Sequence, residues 1–160
     1  EDITYFSKNR VLTLGSITTS QFTNWTVTAP WYGHPGFNAT TGEFIVPSTG
    51  RYTILATINY VTTAAVSISL GAGINPYFAV RIISPVAMDL ITGLLPVLNI
   101  SALVTIRGLL GNGCVTLAGD VSLNAGDTLA LIYNSTGANI QLQLGNSGDN
   151  GIFWSVHRIS

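Results

Sequence analysis

Charge is what this chain has least of. Acidic and basic side chains make up 8% of its 160 residues, against roughly a quarter in an average soluble domain. Six Lys and Arg stand against seven Asp and Glu, for a net charge of -1. No charged residue lies between Arg51 and Arg81. Nucleic-acid binding needs clustered cations that displace counterions, and these are scattered, so no nucleic-acid partner is expected. They also provide no field to steer acidic substrates. A monomer normally covers itself with Lys and Glu. A chain without them must hide surface against a partner or cover itself with Ser, Thr, Asn and Gly, and this composition points to both.

Cysteine occurs once, as Cys114, which excludes an internal disulfide. It lies between Gly113 and the alternating Val115 and Leu117, and reads as a small buried hydrophobe rather than a reactive thiol. The two histidines, His34 and His157, share no spacing that would make a metal or acid–base pair. Ser155 lacks the Gly-x-Ser-x-Gly turn of a nucleophile elbow. Asp89, Asp120, Asp127 and Asp149 are dispersed, whereas glycoside hydrolysis needs two carboxylates within roughly 5–10 Å. No catalytic residue is assigned, and neither an enzyme nor a cofactor is expected. The apolar run 90–106 is interrupted by Gly93, Pro96, Asn99 and Ser101 and is shorter than the roughly 20 residues of a spanning helix. No membrane insertion is expected. The chain opens on Glu1-Asp2 without the basic stretch of a secretory leader, as a mature product or an excised domain would.

Helical periodicity is absent, and strand signals recur throughout. The best lies at residues 51–60. Tyr52, Ile54, Ala56, Ile58 and Tyr60 share one face, and Thr53, Thr57 and Asn59 the other, which is the period of a strand. Further strands are expected at 3–6, 11–14, 25–28, 42–46, 65–70, 77–83, 99–107, 114–123, 128–133, 139–144 and 152–159. Turn chemistry separates them: Pro35-Gly36, Ser48-Thr49-Gly50, Gly71-Ala72-Gly73, Gly111-Asn112-Gly113 and Asn124-Ala125-Gly126-Asp127. This spacing means a single-domain sandwich or barrel over residues 1–160. Residues 77–83 and 129–133 are apolar on both faces and call for a second burial partner, expected to be another subunit. The apolar segment 84–98, with Pro85 and Pro96, reads as a long connection. It lies either on a subunit interface or as a plug in one end of the sandwich.

The spacing Phe37, Gly42, Phe44, Pro47, Gly50, Tyr52 resembles the signature of the C1q and tumour-necrosis-factor-like jelly rolls. Residues 119–131, an alternating strand leading through Gly126-Asp127 into another, are similar to a late element of that family. Gly151-Ile152-Phe153-Trp154-Ser155-Val156 resembles its last strand. The resemblance is good over 37–60, moderate over 115–135 and 151–159, and limited to strand rhythm over 61–113. It implies an all-β, ten-stranded antiparallel jelly roll packed as a homotrimer. Such domains commonly cap a collagen-like or coiled stalk as non-enzymatic recognition heads. The low charge and the Thr, Asn and Gly coating look closest to bacterial members, similar to the heads of collagen-like glycoproteins of the Bacillus spore surface, or exosporium. The implied setting is therefore extracellular, on a bacterial cell or spore. The implied partners are two further copies, a collagen-like stalk upstream, and a surface glycan or protein.

Expected core aromatics are Phe37, Phe44, Tyr52, Tyr60, Tyr133 and Phe153. Expected trimer-interface residues are Tyr77, Val80, Leu129, Leu131 and Tyr133. Trp25, Trp31 and Tyr32 are candidates for a sugar-stacking platform, the alternative being that they cover the open end of the sandwich. That platform supports a second function, a carbohydrate-binding lectin-type module. No metal is assigned. The oxygen-rich loop 145–151 with its single carboxylate, Asp149, is the one stretch suited to a hard cation.

Overall fold

The computed structural model describes residues 2–7, 10–13, 19–62, 73–101, 105–109, 112–137, 141–145 and 151–160. Among these residues there are fifteen strands and no α-helix. In chain order they are β1 (Asp2–Ser7), β2 (Arg10–Thr13), β3 (Thr19–Gln21), β4 (Trp25–Thr26), β5 (Phe37–Asn38), β6 (Glu43–Ile45), β7 (Gly50–Thr62) and β8 (Tyr77–Ser84). They continue as β9 (Met88–Leu94), β10 (Val97–Ser101), β11 (Thr105–Leu109), β12 (Asn112–Leu123), β13 (Thr128–Asn134), β14 (Gln141–Leu144) and β15 (Ile152–Arg158). The expected strand at 65–70 lies outside the described residues.

β7 organises the first sheet because it is long and alternates without a break. One of its edges pairs with β12 over its whole length, from Leu123↔Gly50 to Asn112↔Val61. The other edge takes β15 along Tyr52–Ile58 and β14 along Tyr60–Thr62. β1 and β4 extend the sheet beyond β15, and β2 lies beyond β14. The second sheet runs β5-β6-β13-β8-β9, with β3 also on β13. β10 and β11 form a separate hairpin. Every pairing is antiparallel. This is the antiparallel jelly roll that the resemblance implied, but with fifteen strands among the described residues where ten were expected, because short edge strands and the separate β10–β11 hairpin add to the two main sheets.

The core lies between the sheets. Tyr52, Ile54, Ala56, Ile58 and Tyr60 of β7 are buried, and Phe44, Phe78, Val80, Leu129, Leu131 and Tyr133 meet them from the second sheet. Tyr52 keeps its polar end satisfied by donating its hydroxyl to the Ser48 carbonyl at 2.7 Å. Phe37, on the edge strand β5, is half-buried and sets its ring edge-on to Trp154 at 6.1 Å between centroids. The sheets close against each other where β9 crosses β12. At Gly93, a Cβ would lie 2.5 Å from Val115 Cγ1 and 2.6 Å from Leu117 Cδ2, so a residue without a side chain lets the strands approach. Gly42, at φ +78°, has no room for a Cβ against the Phe22 carbonyl.

Several expectations change here. Phe153 is half-buried, and Trp154 is the fully buried aromatic of β15. Register decides this: Trp154 pairs with Ala56 and Phe153 with Thr57, so the tryptophan shares β7's inner face. The segment 84–98 is not a connection. It forms edge strand β9, with Pro85 before it and Pro96 after it, where neither removes a ladder hydrogen bond. Residues 99–107 divide into β10 and β11. Cys114 is exposed rather than buried, because it falls on the outward phase of β12 while Val115 and Leu117 point inward.

Candidate functional site

The sugar-platform candidates do not act together. Trp25 is 6% exposed, stacks on Phe22 at 6.4 Å, and donates Nε1 to the Phe22 carbonyl at 3.0 Å. It is a wall of the core. Trp31 is half-buried, and Tyr32 is exposed in the loop that follows. His34 lies in the same loop. Its Nδ1 accepts the Gly36 amide at 2.9 Å and its ring stands edge-on to Phe44, so it shapes the turn. Asp149 lies outside the described residues. Among the described residues no group of His, Cys, Asp or Glu is placed to hold a metal ion.

Four of the five expected interface residues face inward. Val80, Leu129, Leu131 and Tyr133 are 0% exposed within one chain and belong to the core between the sheets. A core position cannot also be a subunit contact, so these assignments are corrected. Tyr77 is on the outer face. There Ala79, Ala130 and Ile132 form a second buried cluster flanked by Tyr77 and Ile83. A hydrogen-bonded chain crosses the same face. Arg81 Nε pairs with Asp89 Oδ1, the Tyr77 hydroxyl donates to Asp89 Oδ2 at 2.8 Å, and Asn134 Nδ2 donates to the Tyr77 oxygen at 3.2 Å. The Arg81 guanidinium holds the Asp89 carboxyl below the usual carboxylate range. Burial, then the hydrogen bond to Asp89, raises Tyr77. Within one chain Ala79, Ala130 and Ile132 are already buried on this outer face, while Tyr77, Arg81 and Ile83 beside them stay half-buried.

The outer face of the β7 sheet is different. Thr53, Leu55, Thr57 and Asn59 of β7 lie between Thr116, Ala118 and Asp120 of β12 and Phe153, Ser155 and His157 of β15. Leu55, at the centre, is 40% exposed. Charge appears only toward one end, where Asp120 accepts the Thr53 hydroxyl at 2.6 Å. Ser155 is already buried within one chain, and Thr53, Thr57, Asn59, Phe153 and His157 are half-buried, so among the described residues Leu55 is the one large apolar side chain that this stretch of β7 exposes.

A surface pocket of about 460 Å³ opens beside the β5–β6 hairpin, lined by Pro35, Gly36, Phe37, Asn38, Ala39, Glu43 and Ile45. Asn38 stands opposite Glu43 in register. The Asn38 Oδ1 accepts the amides of Thr40 and Thr41 at 3.0 and 3.2 Å, which fixes the turn. Ile45 is 53% exposed. The sequence carried a usable signal for this pairing: Asn38 and Glu43 flank a turn closed by Gly42.

No protein-family model and no curated protein matches the chain. Solved structures do. Murine APRIL, crystallised at pH 8.5, superposes with a TM-score of 0.60 at 12% identity, over 99% of this chain and 98% of that one. The globular domain of zebrafish complement 1qA superposes with a TM-score of 0.56 at 11% identity, over 99% and 97%. The fold is the C1q/TNF-like jelly roll.

Proposed function

We propose that the chain is a non-enzymatic head domain that self-associates, as a homotrimer, on the outside of a cell. The observation that carries this reading is the outer face of the β7 sheet, which exposes Leu55 among uncharged neighbours in a fold whose resemblance implies three-fold packing. Burying apolar area there returns roughly 25 cal/mol per Å² before association costs. Isolated threonines and asparagines lose little by desolvation if their hydroxyls and amides find partners across the interface. A collagen-like stalk is what the family resemblance implies, and within that family the few charges, the lack of a cysteine pair and the Thr, Asn and Gly coating look closest to members on a bacterial or spore surface. The lectin-type alternative is weakened, because Trp25 is committed to the core.

Multi-angle light scattering tests the assembly. The wild-type chain is expected at three times its monomer mass at micromolar concentration. Leu55→Lys, on the exposed face, is expected to shift it to monomer while the circular dichroism of the β-sheet persists. A monomeric wild type, or a Leu55→Lys variant that remains trimeric, refutes the reading.

A further inference from the structure

We propose that Asn38 is the acceptor of an N-linked glycan, a modification site that the fold holds open to solvent. This rests on the extracellular part of the reading above and not on the trimer. The sequence holds four Asn-x-Ser/Thr acceptor triplets, at Asn24, Asn38, Asn99 and Asn134. Such triplets arise readily in a chain rich in Asn and Thr, so the structure has to select among them. A bulky glycan fits a folded chain only where Nδ2 faces solvent and the residues around it need not leave the core.

Asn38 meets both conditions. β5 and β6 pair Phe37 with Phe44 and Asn38 with Glu43. Phe44 is buried, so alternation turns Asn38 outward, and Asn38 and Thr40 are both exposed. Asn38 Oδ1 accepts the Thr40 and Thr41 amides at 3.0 and 3.2 Å. That turn holds the carboxamide by its oxygen and leaves Nδ2, the atom that would carry the sugar, out of its hydrogen bonds. Ile45, 53% exposed, lies on the same outward face of the hairpin, where the first sugar would cover it. With only 8% charged residues in the chain, a glycan supplies hydration that charges do not.

Asn134 shows the contrast. Its Oδ1 accepts the Thr136 amide at 2.8 Å in the same kind of turn. Its Nδ2, however, donates to the Tyr77 oxygen at 3.2 Å, and Ser135 beside it is fully buried. At Asn24 the middle residue of the triplet is Trp25, which is committed to the core. Asn99 stands opposite Arg107 in the β10–β11 ladder.

In the transfer, Asn38 Nδ2 forms a bond to C1 of the sugar and gives up one proton to the transferase. The C1–O bond to a lipid-linked pyrophosphate breaks, and the pyrophosphate leaves with that bonding pair. The donor is thus a lipid-pyrophosphate oligosaccharide made by the cell that exports the chain. The test is secretion of the chain from a eukaryotic cell line, which supplies this donor. The folded, secreted fraction is proteolysed and treated with peptide N-glycosidase in heavy-oxygen water, so that each occupied site becomes a labelled aspartate in the mass spectrum. Label is expected at Asn38 and not at Asn134. Thr40→Ala should remove it and Thr40→Ser should keep it, with the circular dichroism of the sheet unchanged in both. An unlabelled Asn38, label that survives Thr40→Ala, or equal label at Asn134 overturns the proposal. Light scattering reads the assembly separately: a monomer labelled at Asn38 refutes the trimer alone.

Discussion

Three tyrosines buried in one core should respond in opposite directions to the same deletion. Tyr52, Tyr60 and Tyr133 are each no more than 1% exposed. The Tyr52 hydroxyl donates to Ser48 at 2.7 Å, whereas those of Tyr60 and Tyr133 have no hydrogen-bond partner among the described residues. Burial alone pushes the Tyr133 hydroxyl well up from its ordinary value. For Tyr60, burial comes first and Cys114 adds to it. Removing the Tyr52 oxygen breaks a made bond and strands the Ser48 carbonyl, so Tyr52→Phe should cost about 1–2 kcal/mol. Removing an unpaired buried oxygen deletes a desolvation penalty of about 1–3 kcal/mol and opens a gap no larger than one atom. Tyr60→Phe and Tyr133→Phe should therefore be neutral or stabilising. At this chain length 1 kcal/mol shifts the melting midpoint by about 2–4 °C. Urea unfolding and thermal melts of the three variants, at one protein concentration, read the signs directly. A loss of more than about 1 kcal/mol in Tyr133→Phe would refute the reasoning, because it would mean the hydroxyl has a partner worth a normal hydrogen bond.

Acid should weaken the fold through Asp89. Its carboxyl is held down in the folded chain, so its contribution is present above the unfolded carboxylate range and is lost as pH falls through the folded value. Urea midpoints should drop below about pH 4, and Asp89→Asn should flatten that limb; an unchanged limb would place the acid sensitivity elsewhere. Alkali acts in the opposite sense through Tyr77 and Tyr133. Their raised folded values mean stability lost above about pH 10, and a Tyr133→Phe variant should resist that loss in the same melts. Gly93→Ala should cost about 1–3 kcal/mol by overpacking against Val115 and Leu117. Combined with Val115→Ala it should cost less than the two single changes together, and strict additivity would deny the contact. The melting midpoint should rise with protein concentration if assembly is coupled to folding, and chelator should leave it unmoved. A chelator effect of many degrees would restore a cation site.

The sequence disclosed those parts of the fold that a single strand decides for itself. Alternation over residues 51–60 placed Tyr52, Ile54, Ala56, Ile58 and Tyr60 inward, and all five are buried. The glycine and aromatic spacing from Phe37 to Tyr52 carried the fold class. What it could not disclose depends on a neighbour's register. Phe153 and Trp154 are adjacent aromatics, and only the pairing of Trp154 with Ala56 selects which one enters the core. The two-faced strands misled for a related reason. An apolar outer face on β8 and β13 reads, in one dimension, as surface awaiting a subunit. In three dimensions it is crossed by Tyr77, Asp89 and Asn134, which lie 12 and 57 residues apart along the chain. No periodicity reports a contact of that separation. The case for self-association accordingly moves from strands with two apolar faces to one whose outer face exposes one large apolar residue, Leu55. Leu55 projects from the polar side of β7, among threonines that would satisfy a monomer's surface without it. Under the proposed self-association, a second copy of the chain packing over that leucine would bury it.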